Sequence, residues 1–357
     1  MKKLTATLLG AAAAIAVSMQ GAAAADAKAC FIYVGPIGDY GWSYQHHQGL
    51  LDVEKAFGDR VETAYLESVP EGADAERAIE RFARSGCNII FTTSFGYMDA
   101  TNKVAAKFPD VKFEHATGYK RESDNVTTFN SKFYQGRYIQ GQIAASISET
   151  GVAGYIASFP IPEVVRGINS FILGAQSVNP DFSLKVVWVN TWFDPGKEAD
   201  AAKALIDQGV DIVTQHTDST AAMQVAEERG IKAFGQASDM QAFGENTQLT
   251  SIIDDWGPYY VERVGAVLDG TWEQLDVWGG MIEGHVAMAP YRNMPYDVAA
   301  TAKITERDIM IGRLEPFTGP IMKQDGTEWL ADGETASIGE LLGMNFYVQG
   351  VDDQLPQ

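Results

Sequence analysis

Gly86-Cys87-Asn88-Ile89-Ile90-Phe91-Thr92 and Gly209-Val210-Asp211-Ile212-Val213-Thr214 are two copies of one pattern. Each copy is preceded by a helical stretch with apolar residues on one face: Ala78, Ile79 and Phe82 in the first, Ala201, Ala202 and Leu205 in the second. Each is followed by a polar turn, a second helix and a short strand. Val111-Lys112-Phe113 leads into Ala116-Thr117-Gly118, and Ile231-Lys232-Ala233-Phe234 leads into Ala237-Ser238-Asp239. The offset is about 123 residues in the first half of the match and about 120 in the second. Solenoid repeats have periods of roughly 20–50 residues, so this is a duplication of a lobe. Two similar α/β lobes in one chain leave a cleft between them, and α/β sheets hold ligands outside the carboxyl ends of their strands.

Working outward, strand and helix alternate along most of the chain, which argues for parallel sheets. The pattern predicts strands at 30–34, 60–65, 88–92, 112–115 and 126–129, with helices at 43–57, 75–85, 99–107 and 134–149. Gly151-Val152-Ala153-Gly154 restarts it and marks the lobe boundary. A helix at 163–177, a strand at 184–189 and the second copy follow. Beyond Asp239 the symmetry fades; a strand at 249–253, a helix at 259–269 and the segments around Met281 and Ile309 have no counterpart. They read as chain crossing between lobes. The expected division is 26–150 plus about 245–280 for lobe one, and 151–244 plus about 281–357 for lobe two.

The N-terminus has the form of a secretory leader: Lys2 and Lys3, an apolar run from Leu4 to about Val17, and Ala23-Ala24-Ala25 as an A-x-A site. Residues 1–25 are therefore expected to be removed, releasing a free periplasmic protein. Cys30 is preceded by Ala27-Lys28-Ala29, which is not a lipidation signal. About 330 residues remain, enough for two domains with full cores. The formal net charge is -20. Such a chain repels phosphate backbones, so nucleic acid is excluded as a partner. The two cysteines each begin an apolar run; oxidation in that compartment permits a bond between neighbouring strands, but the expected state is two buried thiols.

Enzyme signatures are absent from the sequence. The five histidines (His46, His47, His115, His216, His285) form no H-x-x-x-H or H-E-x-x-H pair, and there is no C-x-x-C or G-x-S-x-G. No metal or cofactor is expected. Gly35-x-x-Gly38-x-x-Gly41 is not a dinucleotide fingerprint, and Asp39 within it opposes a pyrophosphate.

The loops after the strands carry aromatics and carboxylates instead: Asp39, Tyr40 and Trp42; Phe95 and Tyr97; Trp192 and Asp194; His216 and Asp218; Asp239. Trp42 and Trp192 belong to loops of opposite lobes. Two facing indoles suit a flat, π-rich ligand, and adjacent carboxylates suit N–H donors on its edge. Stacking contributes roughly 1–3 kcal/mol per base and a hydrogen bond to a charged group about 1.5–3 kcal/mol. Two of each approach the roughly 8 kcal/mol of micromolar binding before ordering costs. Asp39 and Asp194 also stand just ahead of helices, where a carboxylate caps backbone N–H groups; for Asp194, followed by Pro195, capping is the expected role.

Gly38-Asp39-Tyr40-Gly41-Trp42-Ser43, Pro160-Ile161-Pro162-Glu163-Val164-Val165-Arg166-Gly167, Asn179-Pro180-Asp181, Trp192-Phe193-Asp194-Pro195-Gly196-Lys197-Glu198 and Gln236-Ala237-Ser238-Asp239-Met240 together resemble the basic membrane protein family of ABC-transporter substrate-binding proteins, the purine nucleoside receptor type. The resemblance covers essentially the mature chain. It implies a type I periplasmic-binding fold: two Rossmann-like lobes with parallel sheets, three crossovers and a hinge that closes on ligand. It also implies a permease partner and a base sandwiched by one aromatic from each lobe, here Trp42 and Trp192, with Asp239 at the ribose. Tyr97, Glu163, Asp218, Asp39 and Phe95 are further candidates by loop position.

The family's Asp-Lys-Ser-Phe-Asn is here Asp39-Tyr40-Gly41-Trp42-Ser43, and Asp254-Asp255 replaces a lysine expected after the 249–253 strand. Both departures point away from ribose, so the expected ligand is a free, adenine-like purine base bound by a monomer. The alternatives are a nucleoside binder of the same class, a periplasmic nucleoside hydrolase, or a sensor handing its closed form to a receptor.

Overall fold

The structure, a computed structural model, describes residues 25–356; the expected leader lies almost wholly outside them. The first lobe opens with β1 (Ala27–Tyr33), α1 (Trp42–Phe57), β2 (Val61–Leu66), α2 (Ala73–Arg84), β3 (Ile89–Thr93), α3 (Met98–Ala105), β4 (Lys112–Ala116) and β5 (Val126–Ser131). The second follows with α4 (Tyr134–Ile147), β6 (Val152–Ala157), α5 (Pro162–Gln176), β7 (Ser183–Trp188), α6 (Pro195–Asp207), β8 (Ile212–His216), α7 (Ala221–Arg229), β9 (Lys232–Gly235) and β10 (Gln248–Asp254). The chain returns with α8 (Gly257–Asp269) and β11 (Asp276–Gly279), then crosses again to β12 (Val286–Met288) and α9 (Tyr296–Met310). A small hairpin, β13 (Ile321–Met322) and β14 (Glu328–Leu330), and α10 (Ile338–Leu342) complete it.

Sheet one has the order β11-β5-β4-β3-β1-β2, all parallel; sheet two has β12-β10-β9-β8-β6-β7, parallel except for β12. Because successive strand residues point to opposite faces, Cys30 and Ile32 enter the core under α2 and α3, while Phe31 and Tyr33 enter the one under α1 and α8. Phe31 stacks on Phe91 at 4.7 Å on the latter face. Strands buried on both faces must be apolar at nearly every position, as β1 is save for Lys28.

The lobe boundaries differ from expectation in two places. The helix α4 belongs with lobe two, not lobe one, because Gly141 and Gly174 let α4 and α5 approach backbone to backbone. A Cβ on Gly141 would lie 1.9 Å from the Phe171 carbonyl oxygen, and one on Gly174 2.0 Å from that of Tyr138. The strand β10 pairs with β9 and so stays in lobe two, although it falls in the 245–280 span assigned to lobe one. The crossings thus fall between β5 and α4, between β10 and α8, and between β11 and β12.

The cysteines also correct the expectation of free thiols: Cys30 and Cys87 form a disulfide with a Cα–Cα distance of 6.0 Å. Cys87 precedes β3 in the turn after Gly86, so the β-ladder does not fix its Cβ direction.

A fully buried ion pair ties the returning helix to sheet one. Glu114 on β4 accepts from Arg263 Nε at 2.8 Å, Tyr259 Oη at 2.6 Å and Trp272 Nε1 at 2.7 Å. Removing one partner of such a pair leaves an uncompensated buried charge and costs about 3–5 kcal/mol. Arg263→Ala is therefore expected to lower stability by that amount in urea unfolding monitored by circular dichroism; a loss below 1 kcal/mol would show that α8 is held by its apolar face alone.

Candidate functional site

The carboxyl ends of the two sheets face each other across a narrow cavity between the lobes. Five of the sequence candidates line it: Trp42, Phe95, Glu163, Trp192 and Asp218. Val34, Ser94, Thr117, His216 and Gln236 complete the wall. Each of these five sits at or just past the end of β1, β3, β4, β8 or β9. The strand-end rule was therefore the signal that could have found them; it had already singled out His216 as a loop residue, though not as a ligand contact, and the other four were passed over as neither charged nor aromatic.

Trp42 begins α1. Its indole N–H donates to the Thr93 carbonyl at 2.7 Å, and its ring meets His46 edge-on at 4.3 Å and Trp256 at 5.7 Å. Trp256 lies where the chain has just crossed from β10 towards α8, so the cavity aromatic rests on a crossover. Trp192 follows β7, packs at a tilt on Phe159 at 5.1 Å, and donates from Nε1 to Glu71 of the opposite lobe at 3.2 Å. Glu71 also accepts from Ser94 Oγ at 2.6 Å. The two lobes are thus in contact across the cavity mouth.

Asp39 does not line the cavity. Its carboxylate accepts the N–H groups of Gly41 (2.8 Å), Tyr44 (3.0 Å) and Ser43 (3.2 Å), which is capping of α1, the other role the sequence allowed. Burial pushes its carboxyl up to about 7 against those bonds. Asp218, from the other lobe, accepts the Trp42 N–H at 3.4 Å at the same helix end. Burial, then Asp39 and Glu198, drive its carboxyl well up. Asp194 caps α6 through the Lys197 N–H at 3.1 Å, as expected.

Two candidates lie elsewhere. Tyr97 is buried behind β3 and donates to the Val69 carbonyl. Asp239 is held by both Arg292 guanidinium nitrogens (3.1 and 3.0 Å) and by Gln248 Nε2 at 2.6 Å, so a protein cation already satisfies it. The long sequence separation between Asp239 and Arg292 hid this pair.

Arg137, buried behind the cavity, sets the polarity of one wall. It donates to the Gln215 carbonyl at 2.7 Å, Thr214 Oγ1 at 2.9 Å and Gln236 Oε1. An arginine only donates, so Gln236 turns its oxygen to Arg137 and keeps its NH2 for the cavity. His216 is neutral: burial first, then Arg137 and Arg166, hold its pKa well below the usual range, and its Nδ1 has no hydrogen-bond partner among the described residues. The Thr117 hydroxyl is likewise unpartnered, on a backbone with φ of 63°. Non-glycine residues are uncommon there, and such positions concentrate at ligand sites. Asp254 is buried where β10 ends, and burial pushes its carboxyl well up, which favours the neutral form.

Residues 27–315 match the family model described as Bmp, an ABC transporter substrate-binding protein, PnrA-like. The chain belongs to the Bmp family. It is an ABC transporter substrate-binding protein by that membership. Over 330 residues it is 68% identical to a purine-binding protein of Brucella abortus (strain 2308), spanning 92% of this chain and 94% of the relative. It is 38% identical, over 92% of its length and 81% of the relative's, to a Haloferax volcanii protein whose name assigns it provisionally to glucose binding by an ABC transporter. A solute-binding protein of an ABC transporter system from Aeropyrum pernix K1 superposes with a TM-score of 0.70 at 18% identity, covering 81% of this chain and 92% of that one. The architecture is the type I periplasmic-binding fold. The hairpin and α10 lie past the matched residues, as does Val351, which bridges Leu184 on the β7 edge of sheet two.

Proposed function

We propose that this Bmp protein binds a free, adenine-like purine base in the periplasm, between Trp42 and Trp192, and delivers it to an ABC permease. The observation that carries the reading is the composition of one small cavity: indoles from both lobes, carboxylate acceptors at Glu163 and Asp218, and the donor NH2 of Gln236. A purine offers two π faces with N–H donors and ring-nitrogen acceptors around one edge, which matches that set. The naming of the Brucella abortus relative as purine-binding supports it. The commitment of Asp239 to Arg292 favours a base over a nucleoside, since the carboxylate expected at a ribose is already neutralised. Closure of the lobes buries the ligand and presents a surface assembled only in the closed state.

Isothermal titration of protein refolded free of ligand tests the reading. Adenine is expected to bind one per chain at micromolar affinity or better, and to raise the melting temperature by mass action. Adenosine and glucose are expected to bind at least about tenfold more weakly. Saturable glucose binding without any response to purines would overturn the proposal, and release of free base from adenosine would turn it towards a hydrolase.

A further inference from the structure

We propose that Glu163 accepts the ring N–H that a free purine carries and an N9-substituted purine lacks, and so selects base over nucleoside. This rests on the purine reading above and deepens it. Glu163 stands in the first turn of α5, just after Pro162, and lines the cavity. Among the described residues its carboxylate has no hydrogen-bond donor; the influences on it are burial, then the charge of Arg166. Arg166, one turn further along α5, is committed elsewhere: its Nη1 donates to the Leu341 carbonyl at 2.8 Å, and its guanidinium lies over Trp278 at 5.0 Å. The other carboxylate on the wall, Asp218, accepts the Trp42 backbone N–H through one oxygen at the lobe seam.

Glu163 is only partly buried, so it is a bound ligand closing over it that removes the carboxylate from water, and a ligand that supplies no donor leaves that cost unrecovered. Burial raises the proton affinity of Glu163, with its carboxyl pushed up to about 7, which makes it a strong acceptor. The strongest donor on a free adenine is its imidazole N–H, which is more acidic than the exocyclic amine. In a nucleoside that nitrogen carries the sugar instead. Such a substituent removes the bond and also blocks water from replacing it, so the discrimination exceeds that from shape alone.

The test is titration of wild type, Glu163→Gln and Glu163→Ala with adenine, 9-methyladenine and adenosine, the folding of each variant being checked by its melting temperature. Wild type is expected to favour adenine over 9-methyladenine by at least about 100-fold. Glu163→Ala is expected to bring that ratio below about tenfold, with Glu163→Gln between, since its amide oxygen still accepts. In 15N-labelled adenine bound to wild type, the ring N–H proton is expected far downfield, and to move upfield in Glu163→Ala. Equal wild-type affinity for adenine and 9-methyladenine would overturn the inference while leaving the purine reading intact. So would an unchanged ratio in Glu163→Ala. Failure of wild type to bind any purine would overturn the purine reading and this inference together.

Discussion

Trp192→Ala is expected to weaken adenine binding by roughly 30- to 700-fold, about 2–4 kcal/mol. One stacked face contributes roughly 1–3 kcal/mol. The same substitution removes the indole N–H that reaches Glu71 on the opposite lobe at 3.2 Å. That bond is exposed at the mouth and adds towards the low end for a hydrogen bond to a charged group, about 1 kcal/mol. Trp192→Phe separates the two contributions: it keeps a face and loses the cross-lobe donor, so it is expected to lose only about tenfold. Titration calorimetry reads both. Trp192 is partly buried against the edge of the larger core, so the ligand-free melting temperature is expected to fall modestly and is measured alongside. A loss of less than threefold in Trp192→Ala would remove the sandwich from the account.

The second large effect is on stability. Replacing both Cys30 and Cys87 by alanine is expected to destabilise the protein by up to about 4 kcal/mol, from the chain-entropy estimate for a loop closed across 57 residues. Both side chains are buried, at 0% and 2% exposure, so each alanine leaves only a small void and the lost crosslink dominates. Reducing agent added to wild type should lower the unfolding midpoint in the same direction, and should leave the double variant unaffected. Adenine affinity is expected to stay within about twofold, because neither cysteine lines the cavity. A change below about 1 kcal/mol would mean that the unfolded chain is already compact between these positions.

The two effects divide as the sequence information divides. Trp42 and Trp192 were legible because a tryptophan in a loop after a parallel strand occupies one end of its sheet whatever the rest of the chain does. The loop position that found them also brought Glu163, Phe95 and Asp218 to the cavity wall. Tyr97 failed the same rule because the turn after β3 coils into a helical turn that points its ring inward, towards Val69. Asp239 failed it because its partner, Arg292, arrives from a segment with no counterpart in the duplication. The disulfide was legible as a possibility from the neighbouring strands. It was decided by the turn at Gly86-Cys87, which frees Cys87 from the strand geometry that disfavours bonding.

By itself the sequence determined what is local or repeated. Apolar periodicity set the helices and strands, since burial on one or two faces writes itself at spacings of 3.6 and 2 residues. The duplication set two lobes, and strand-end loops set the cleft and its chemistry. Tertiary structure alone decided which lobe each crossing segment joins, as glycine-to-carbonyl packing did for α4 and strand pairing did for β10. It also decided which carboxylates are already satisfied: Asp39 is held by a helix end and Asp239 by an arginine, whereas Glu163 has no hydrogen-bond donor among the described residues. Whether a charge finds a partner depends on groups brought together from distant parts of the chain, and no local pattern records that distance.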